Sequence, residues 1–328
     1  MKKRLKIFGG ILLSLIVVFI MGPAVDAPEI QKPLPTLSLS LEDLSHWVEE
    51  KNAAVPNIKE DNETKIVFAD SIPKKTPYAI VYLHGFSGSA EDAAPVHEEV
   101  AKALGANLYL PRLYDHGLEG EEGLSSYTGE RSLDSAREAL AVGKVLGEKV
   151  ILMGTSTGCT LALSLAAFHP DLAALVLYAP NIRIAHPLDF VATLPWGLQI
   201  IRQVEGSHYH EMDSPSEDKK KYWTTKYRLE AVVQMQKLLE TAMNSSIFNR
   251  ITVPVFSGYY YKNDQEQDPV VSVAAMRTMF KELGTSPENK QEMAFPNAGA
   301  HEIASYLVTD NYDEVKEATL SFLNRILE

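Results

Sequence analysis

Residues 150–163 read Val150-Ile151-Leu152-Met153-Gly154-Thr155-Ser156-Thr157-Gly158-Cys159-Thr160-Leu161-Ala162-Leu163. The apolar run at its start predicts a short strand over 149–153, buried on both faces. The run after Gly158 predicts a helix over 157–168. Between them a serine occupies a strand-to-helix turn. A serine hydroxyl is a poor nucleophile unless it is exposed, oriented and next to a base. A sharp turn supplies the exposure by holding the serine backbone under strain. The residues two before and two after must then be small, so that strand and helix can approach, and Gly154 and Gly158 meet that demand. A glycine-x-serine-x-glycine pattern is weak by itself; the strand before it and the helix after it are the context the motif requires.

Working outward, the same alternation continues. Apolar strands are expected at 65–69, 78–83, 107–110, 173–178, 253–261 and 291–295, with helices at about 92–104, 133–146, 271–283 and 312–327. Continuous apolar strands separated by helices define an α/β protein with a mostly parallel central sheet flanked by helices on both faces. The alternation breaks over about 181–250, where helix-like segments occur with no clear strand. We read an insertion of this size as a helical cap over the sheet edge. It carries Trp196 and Trp223, which either line an acyl pocket or pack the cap onto the body. Its Lys219-Lys220-Lys221 run reads as a solvated face.

Toward the N-terminus, Pro23, Pro28, Pro33 and Pro35 mark a linker, and Ser40 is placed to cap a short helix that starts at Leu41. Further back, Lys2, Lys3, Arg4 and Lys6 precede an uncharged apolar run over 7–21. A basic flank before an apolar stretch reads as membrane targeting. The expectation is a single retained N-terminal transmembrane helix with an extracytoplasmic catalytic domain, or else a cleaved signal and a secreted or periplasmic protein. The chain then divides into a membrane segment (1–24), a linker with a short helix (25–62) and a catalytic domain (63–328).

Composition removes several classes. With 328 residues, 45% of them apolar, the chain can bury a large core. A net charge of −12 argues against a nucleic-acid partner, because phosphate binding needs a positive field. The lone cysteine, Cys159, can form neither an internal disulfide nor a zinc cluster, and reads as a small buried hydrophobe.

The chemistry needs three further parts. Backbone N–H groups must face the oxyanion of a tetrahedral intermediate. Thr157, directly after the serine, is one candidate. Phe86, in the loop His84-Gly85-Phe86-Ser87-Gly88-Ser89 that follows the 78–83 strand, is the other, with Gly85 letting the backbone bend and His84 bracing the loop. The chain order for such a turn is serine, acid, histidine. Of the histidines after Ser156, His169 closes the helix and His186, His208 and His210 fall in the insertion. His301 alone sits in a loop after the last strand, where it can fold back over the strand ends as the base. For the acid, Asp264 and Asp268 compete: the first is nearer its strand end, the second directly precedes Pro269-Val270-Val271 and the next helix.

At these residues the chain resembles the α/β-hydrolase family of serine hydrolases, in particular its carboxylesterases and monoacylglycerol lipases, from about residue 65 to the C-terminus. The 84–89 loop is similar to the family's H-G-x-x-G-S pattern. Leu113-Tyr114-Asp115-His116-Gly117 resembles a loop that often reads G-H-G, with Asp115 in place of a glycine. Asp268-Pro269-Val270-Val271 matches the usual setting of the acid, and His301 that of the histidine. The resemblance implies a triad of Ser156, Asp268 and His301, no metal or organic cofactor, and an acyl-enzyme route on a small or lipid-like carboxylic ester. A serine at the turn argues against the epoxide and haloalkane chemistry that relatives perform with aspartate there. Thioesterase or aminopeptidase-like activity, or a non-catalytic binding protein on the same fold, are the alternatives.

Overall fold

The computed structural model describes residues 2–327. From the N-terminus, α1 (Lys2–Ile20) and α2 (Leu41–Ala53) precede β1 (Lys65–Val67) and β2 (Thr76–Leu83). The alternation then runs α3 (Val96–Leu104), β3 (Asn107–Leu110), α4 (Gly129–Leu146), β4 (Gly147–Thr155), α5 (Thr157–Ala166) and β5 (Ala174–Tyr178). Next come α6 (Gly197–Glu205), β6 (Tyr209–Glu211), α7 (Glu217–Tyr222), β7 (Lys226–Arg228), α8 (Leu229–Ala242) and α9 (Ser245–Phe248). The chain ends with β8 (Val255–Tyr259), α10 (Val273–Glu282), β9 (Lys290–Ala294) and α11 (Tyr312–Leu327).

Seven strands form one sheet in the order β1-β3-β2-β4-β5-β8-β9. β1 runs antiparallel to β3, and every other neighbouring pair is parallel. The apolar runs explain this placement, because both faces of the sheet are covered. Along β2, Val81 and Leu83 pack into one core with Leu140 of α4 and Leu161 of α5. Ile80 and Tyr82 face the opposite core, with Val100 of α3 and Phe322 of α11. Each such side chain contributes about 1.5–3 kcal/mol on burial.

Two registers position the site. Leu83, the last residue of β2, pairs with Gly154, so the loop after β2 leaves the sheet beside the Ser156 turn. Tyr259 pairs with Ala294, so the segments after β8 and β9 leave at the same edge. All of them lie at the carboxyl ends of parallel strands, where open α/β sheets place their ligands.

Two expectations need correction. Among the described residues no helix is long and apolar enough to cross a membrane. α1 carries Lys2, Lys3, Arg4 and Lys6 near its start. The uncharged remainder, residues 7–20, spans roughly 21 Å at 1.5 Å per residue, against about 30 Å of hydrocarbon. The transmembrane anchor, the membrane contact through it and the membrane-anchored localisation therefore fall. The end of α1 lies instead against the segment between β5 and β8, where the Trp196 indole donates to the Val18 carbonyl at 3.1 Å. The second correction concerns that segment, which is not wholly helical. β6 and β7 form a two-stranded antiparallel sheet, with Tyr209 opposite Arg228 and Glu211 opposite Lys226. Strands of three residues, rich in charge, carry too little alternation to be read from sequence.

The proline-rich stretch is laid firmly on the body. Ile30, Leu34 and Leu37 pack against the core, and the buried Arg137 of α4 donates to the Ile30 carbonyl at 3.0 Å. Ser40 does cap α2, accepting from the Asp43 N–H at 3.1 Å.

Candidate active site

Ser156 joins β4 to α5 with φ 53° and ψ −119°, a left-handed backbone that a non-glycine residue adopts only under strain. The surroundings hold it there. The Ser156 N–H donates to the Tyr178 carbonyl at 2.9 Å, and its carbonyl accepts from the Asn181 N–H at 3.1 Å. The flanking glycines are required by contact. A Cβ at Gly158 would lie 1.8 Å from the Leu83 carbonyl oxygen, and one at Gly154 would lie 2.9 Å from the Gly158 backbone. Cys159 is buried beneath the turn with its thiol 3.0 Å from the Gly154 carbonyl, and burial pushes that thiol up, away from the reactive thiolate.

His301 and Asp268 arrive from the segments after β9 and β8. The two side chains meet at 2.7 Å, His301 Nδ1 to Asp268 Oδ2. The other Asp268 oxygen accepts the N–H groups of Val270 and Val271 at 2.9 and 3.0 Å, so the carboxylate is held from both sides. Val270 and Val271 form part of the Asp-Pro-Val-Val run quoted above. Asp264 is exposed and accepts from the Tyr261 hydroxyl at 2.9 Å, away from His301's partner set. His301 Nε2 is buried and has no hydrogen-bond partner among the described residues.

The loop after β2 is built around buried His84 and half-buried Phe86. His84 accepts the Leu113 N–H on Nε2 at 3.1 Å, which leaves Nδ1 to donate to the Gly85 carbonyl at 2.9 Å. Burial, with His116 nearby, keeps its pKa well below the ordinary imidazole value, so it serves as a neutral brace. The Phe86 ring is fixed edge-on by Tyr127 and Tyr227, at 5.1 and 5.2 Å between ring centres. Among the described residues neither the Phe86 nor the Thr157 N–H donates to a protein acceptor. Asp115, at the position where the resembling loops carry glycine, has φ 64° and accepts the Ser126 N–H at 2.7 Å, which ties down a backbone that glycine would adopt freely.

Ser156, Phe86 and His301 share a cavity of about 460 Å³. Ser156, Thr157, Phe86 and His301 line it from the sheet side; Met212, Trp223, Tyr227, Val232 and Met235 line it from the segment between β5 and β8. The cavity wall is mostly apolar, within the usual size range of small-molecule sites. Its few charges are informative. Burial opposes a charged His301, yet the Asp268 carboxylate, helped by Glu302 and Asp92, raises its pKa above the usual 6.5. Burial likewise opposes a charged Glu302, but His301 and Lys219 hold it below the usual carboxyl range. Lys219 pairs with Glu302 at 2.9 Å and lies 3.8 Å from the centre of the Trp223 ring. The lysine run is thus not simply a solvated face, because its first member fastens α7 to the residue beside His301. Lys221 does reach a surface partner, Asp61, at 2.6 Å.

The model of the alpha/beta hydrolase family matches residues 80–318. The chain belongs to that family. Its relatives include a thermostable monoacylglycerol lipase from Bacillus sp. (strain H-257), 34% identical over 100 residues. That stretch is 30% of this chain and 39% of the lipase, so the chain spans about two fifths of the curated relative it matches. Among solved structures, the metagenome-derived lipolytic enzymes LipS and LipT give a TM-score of 0.66 at 16% identity, covering 82% of this chain and all of the other. The Paleococcus ferrophilus monoacylglycerol lipase gives 0.56 at 16% identity, over 79% of this chain and 97% of the other. A carboxyl esterase from Bacillus coagulans gives 0.57 at 15% identity, over 84% and 97%. At such identities these likenesses show the fold alone: a mostly parallel seven-stranded α/β-hydrolase sheet flanked by helices.

Within this family frame, sequence reading missed Asp92, Asn181, Lys219 and Glu302 as parts of the site. Glu302 had a signal, since it directly follows the chosen histidine. Asp92 had only the oddity of a carboxylate at the start of an apolar repeat.

Proposed function

We propose that the chain is a serine hydrolase that cleaves carboxylic esters through an acyl-enzyme. In this reading Ser156 Oγ attacks the ester carbonyl, and His301 Nε2 takes its proton and later gives it to the leaving alkoxide. Asp268 orients the imidazole and stabilises its charged form. The Phe86 and Thr157 N–H groups receive the oxyanion, a contribution worth about 10²–10³ in rate per donor. Water then repeats the sequence on the acyl-enzyme. The observation that carries the proposal is the buried His301–Asp268 pair, whose histidine, with Nε2 unpartnered among the described residues, lines the same cavity as a serine held in a strained turn.

The apolar wall favours an ester with a hydrocarbon acyl chain, and the partial match to a monoacylglycerol lipase points the same way. We further propose residues 63–328 as the catalytic unit, with about 181–250 acting as its cap, and 25–62 as the linker and short helix before it. No metal or organic cofactor has a role in this reaction scheme.

A fluorophosphonate probe tests the reading. Labelling of the wild-type protein at Ser156, lost in Ser156→Ala together with hydrolysis of a p-nitrophenyl ester series, is the expected result. Undiminished hydrolysis by Ser156→Ala would sink it.

A further inference from the structure

Beside the proposed triad lies a second buried carboxylate that the reaction scheme does not use. Asp92 is 1% exposed, sits in the short turn of helix Ala90–Ala93 and lines the same cavity as Ser156. One of its oxygens accepts the Gly85 N–H at 2.6 Å. The other is bonded to the Tyr82 hydroxyl, and that hydroxyl lies 2.7 Å from Thr155 Oγ1. Thr155 immediately precedes the nucleophile, and Gly85 immediately precedes Phe86. The carboxylate therefore holds directly the residue before Phe86 and, through the Tyr82 hydroxyl, reaches the side chain of Thr155, two residues before Thr157.

The spacing leaves little freedom. A Cβ on Gly85 would lie 3.1 Å from Asp92 Oδ2 and 3.2 Å from Ser156 Cβ. A Cβ on Gly88 would meet the same carboxylate oxygen at 3.1 Å and the Trp223 indole nitrogen at 3.2 Å. The loop is thus packed against the carboxylate at both its glycines.

We infer that Asp92 is a positioning residue for the oxyanion loop, holding the Gly85 amide so that the Phe86 N–H faces the developing negative charge. This rests on the assignment of Ser156, Phe86 and Thr157 made above. Burial raises the Asp92 carboxyl to about 7 although its bonds to Tyr82 and Gly85 oppose the shift. A group buried at that cost is more useful for fixing geometry than for adding stability. Its action belongs to the transition state: a displaced donor weakens the oxyanion contact and leaves the cavity that binds the ester unchanged.

The full-length chain and its Asp92→Ala, Asp92→Asn, Tyr82→Phe and Ser156→Ala variants test this on one p-nitrophenyl ester. Asp92→Ala is expected to lower kcat about 10- to 100-fold with KM within about two-fold, as for partial loss of one oxyanion donor. Phosphonate labelling still falls on Ser156. Asp92→Asn recovers most of the rate, because its amide oxygen can accept from Gly85 while its amide nitrogen donates to the Tyr82 oxygen. An unchanged kcat in Asp92→Ala overturns the inference. So does a loss carried by KM, or an Asp92→Asn variant as slow as the alanine. If Asp92→Ala does not fold, Tyr82→Phe decides: a several-fold fall in kcat at constant KM sustains the inference, and an unchanged kcat overturns it. Activity retained by Ser156→Ala would instead sink the underlying triad reading, which separates the two failures.

Discussion

From Tyr78 to Leu83, β2 pairs with β4 residue by residue, whereas β6 and β7 hold each other over three positions. The first ladder lies between two apolar cores; the second carries ion pairs along its charged side chains, such as Arg228 with Glu122 at 3.1 Å and Lys226 with Glu211 at 3.3 Å. Both regions line one cavity. The sheet side contributes groups whose positions are fixed by backbone hydrogen bonds and close contacts, and the segment between β5 and β8 contributes apolar walls, among them Val232 and Met235 of α8. On the proposed function, chemistry would be lodged on the sheet side and substrate choice on the opposite wall. A change on the sheet side should act on rate or folding, and a change on the other side on which ester is taken.

The largest effect expected under this division is at the acid. Asp268→Asn should lower kcat by about 10⁴-fold, the loss associated with a histidine held in the wrong tautomer, while Asp264→Asn stays within about two-fold; steady-state kinetics of both variants checks the assignment. Next comes Gly158→Ala. Its Cβ would fall on the Leu83 carbonyl at 1.8 Å, a backbone atom with nowhere to go. We expect a loss of at least about 3 kcal/mol in denaturant unfolding, and a variant as stable as the wild type would break the claim that the sheet side is rigid.

On the opposite wall, Val232→Trp should fill part of the cavity. The expected outcome is a loss of about 10- to 100-fold in kcat/KM for long acyl esters, with acetate esters within about three-fold and the melting temperature nearly unchanged. A uniform loss across chain lengths would erase the distinction between the two regions. The smallest effect concerns the fastening between them. The base must be neutral to act, so the rate rises with pH through the His301 titration, above 6.5. Glu302 stabilises the protonated imidazole, as do Asp268 and Asp92, while Lys219 faces Glu302 from α7. Removing that charge in Glu302→Gln therefore shifts the acidic limb of the kcat/KM profile to lower pH, by a few tenths of a unit. A shift to higher pH would reverse the sign of the argument.

The same division explains what could be read from the residues. β4, α5 and β5 were legible because continuous apolar runs have one stable home, between two layers of helices. The Ser156 turn was legible because glycines at 154 and 158 leave room that no other residue leaves. α11 was legible over its full observed length, Tyr312–Leu327, because its apolar face repeats at the helical period. β6 and β7 were not, since three residues each are too few for an alternation to stand out. The N-terminal segment misled because a basic flank before an apolar run reads as a membrane anchor, although the uncharged part of α1 is shorter than the hydrocarbon layer. Asp92 and the Lys219–Glu302 pair lay beyond reach for a different reason: their partners are distant in sequence, and only the folded register brings them together. The choice between Asp264 and Asp268 leaned on resemblance, because both aspartates sit in one loop and the contact that distinguishes them, with His301, is made 33 residues away.

One consequence of the Leu83–Gly154 pairing concerns how such a chain can change over time. The spacing between the segments that carry Phe86 and Thr157 is set first by the ladder between β2 and β4, and the Asp92 carboxylate acts on a frame already measured out by backbone. Side chains along those strands can be exchanged for others of like volume, whereas inserting or deleting a single residue shifts the frame by about 3.3 Å and turns each later side chain to the other layer. Length in these two strands should therefore be far less negotiable than composition.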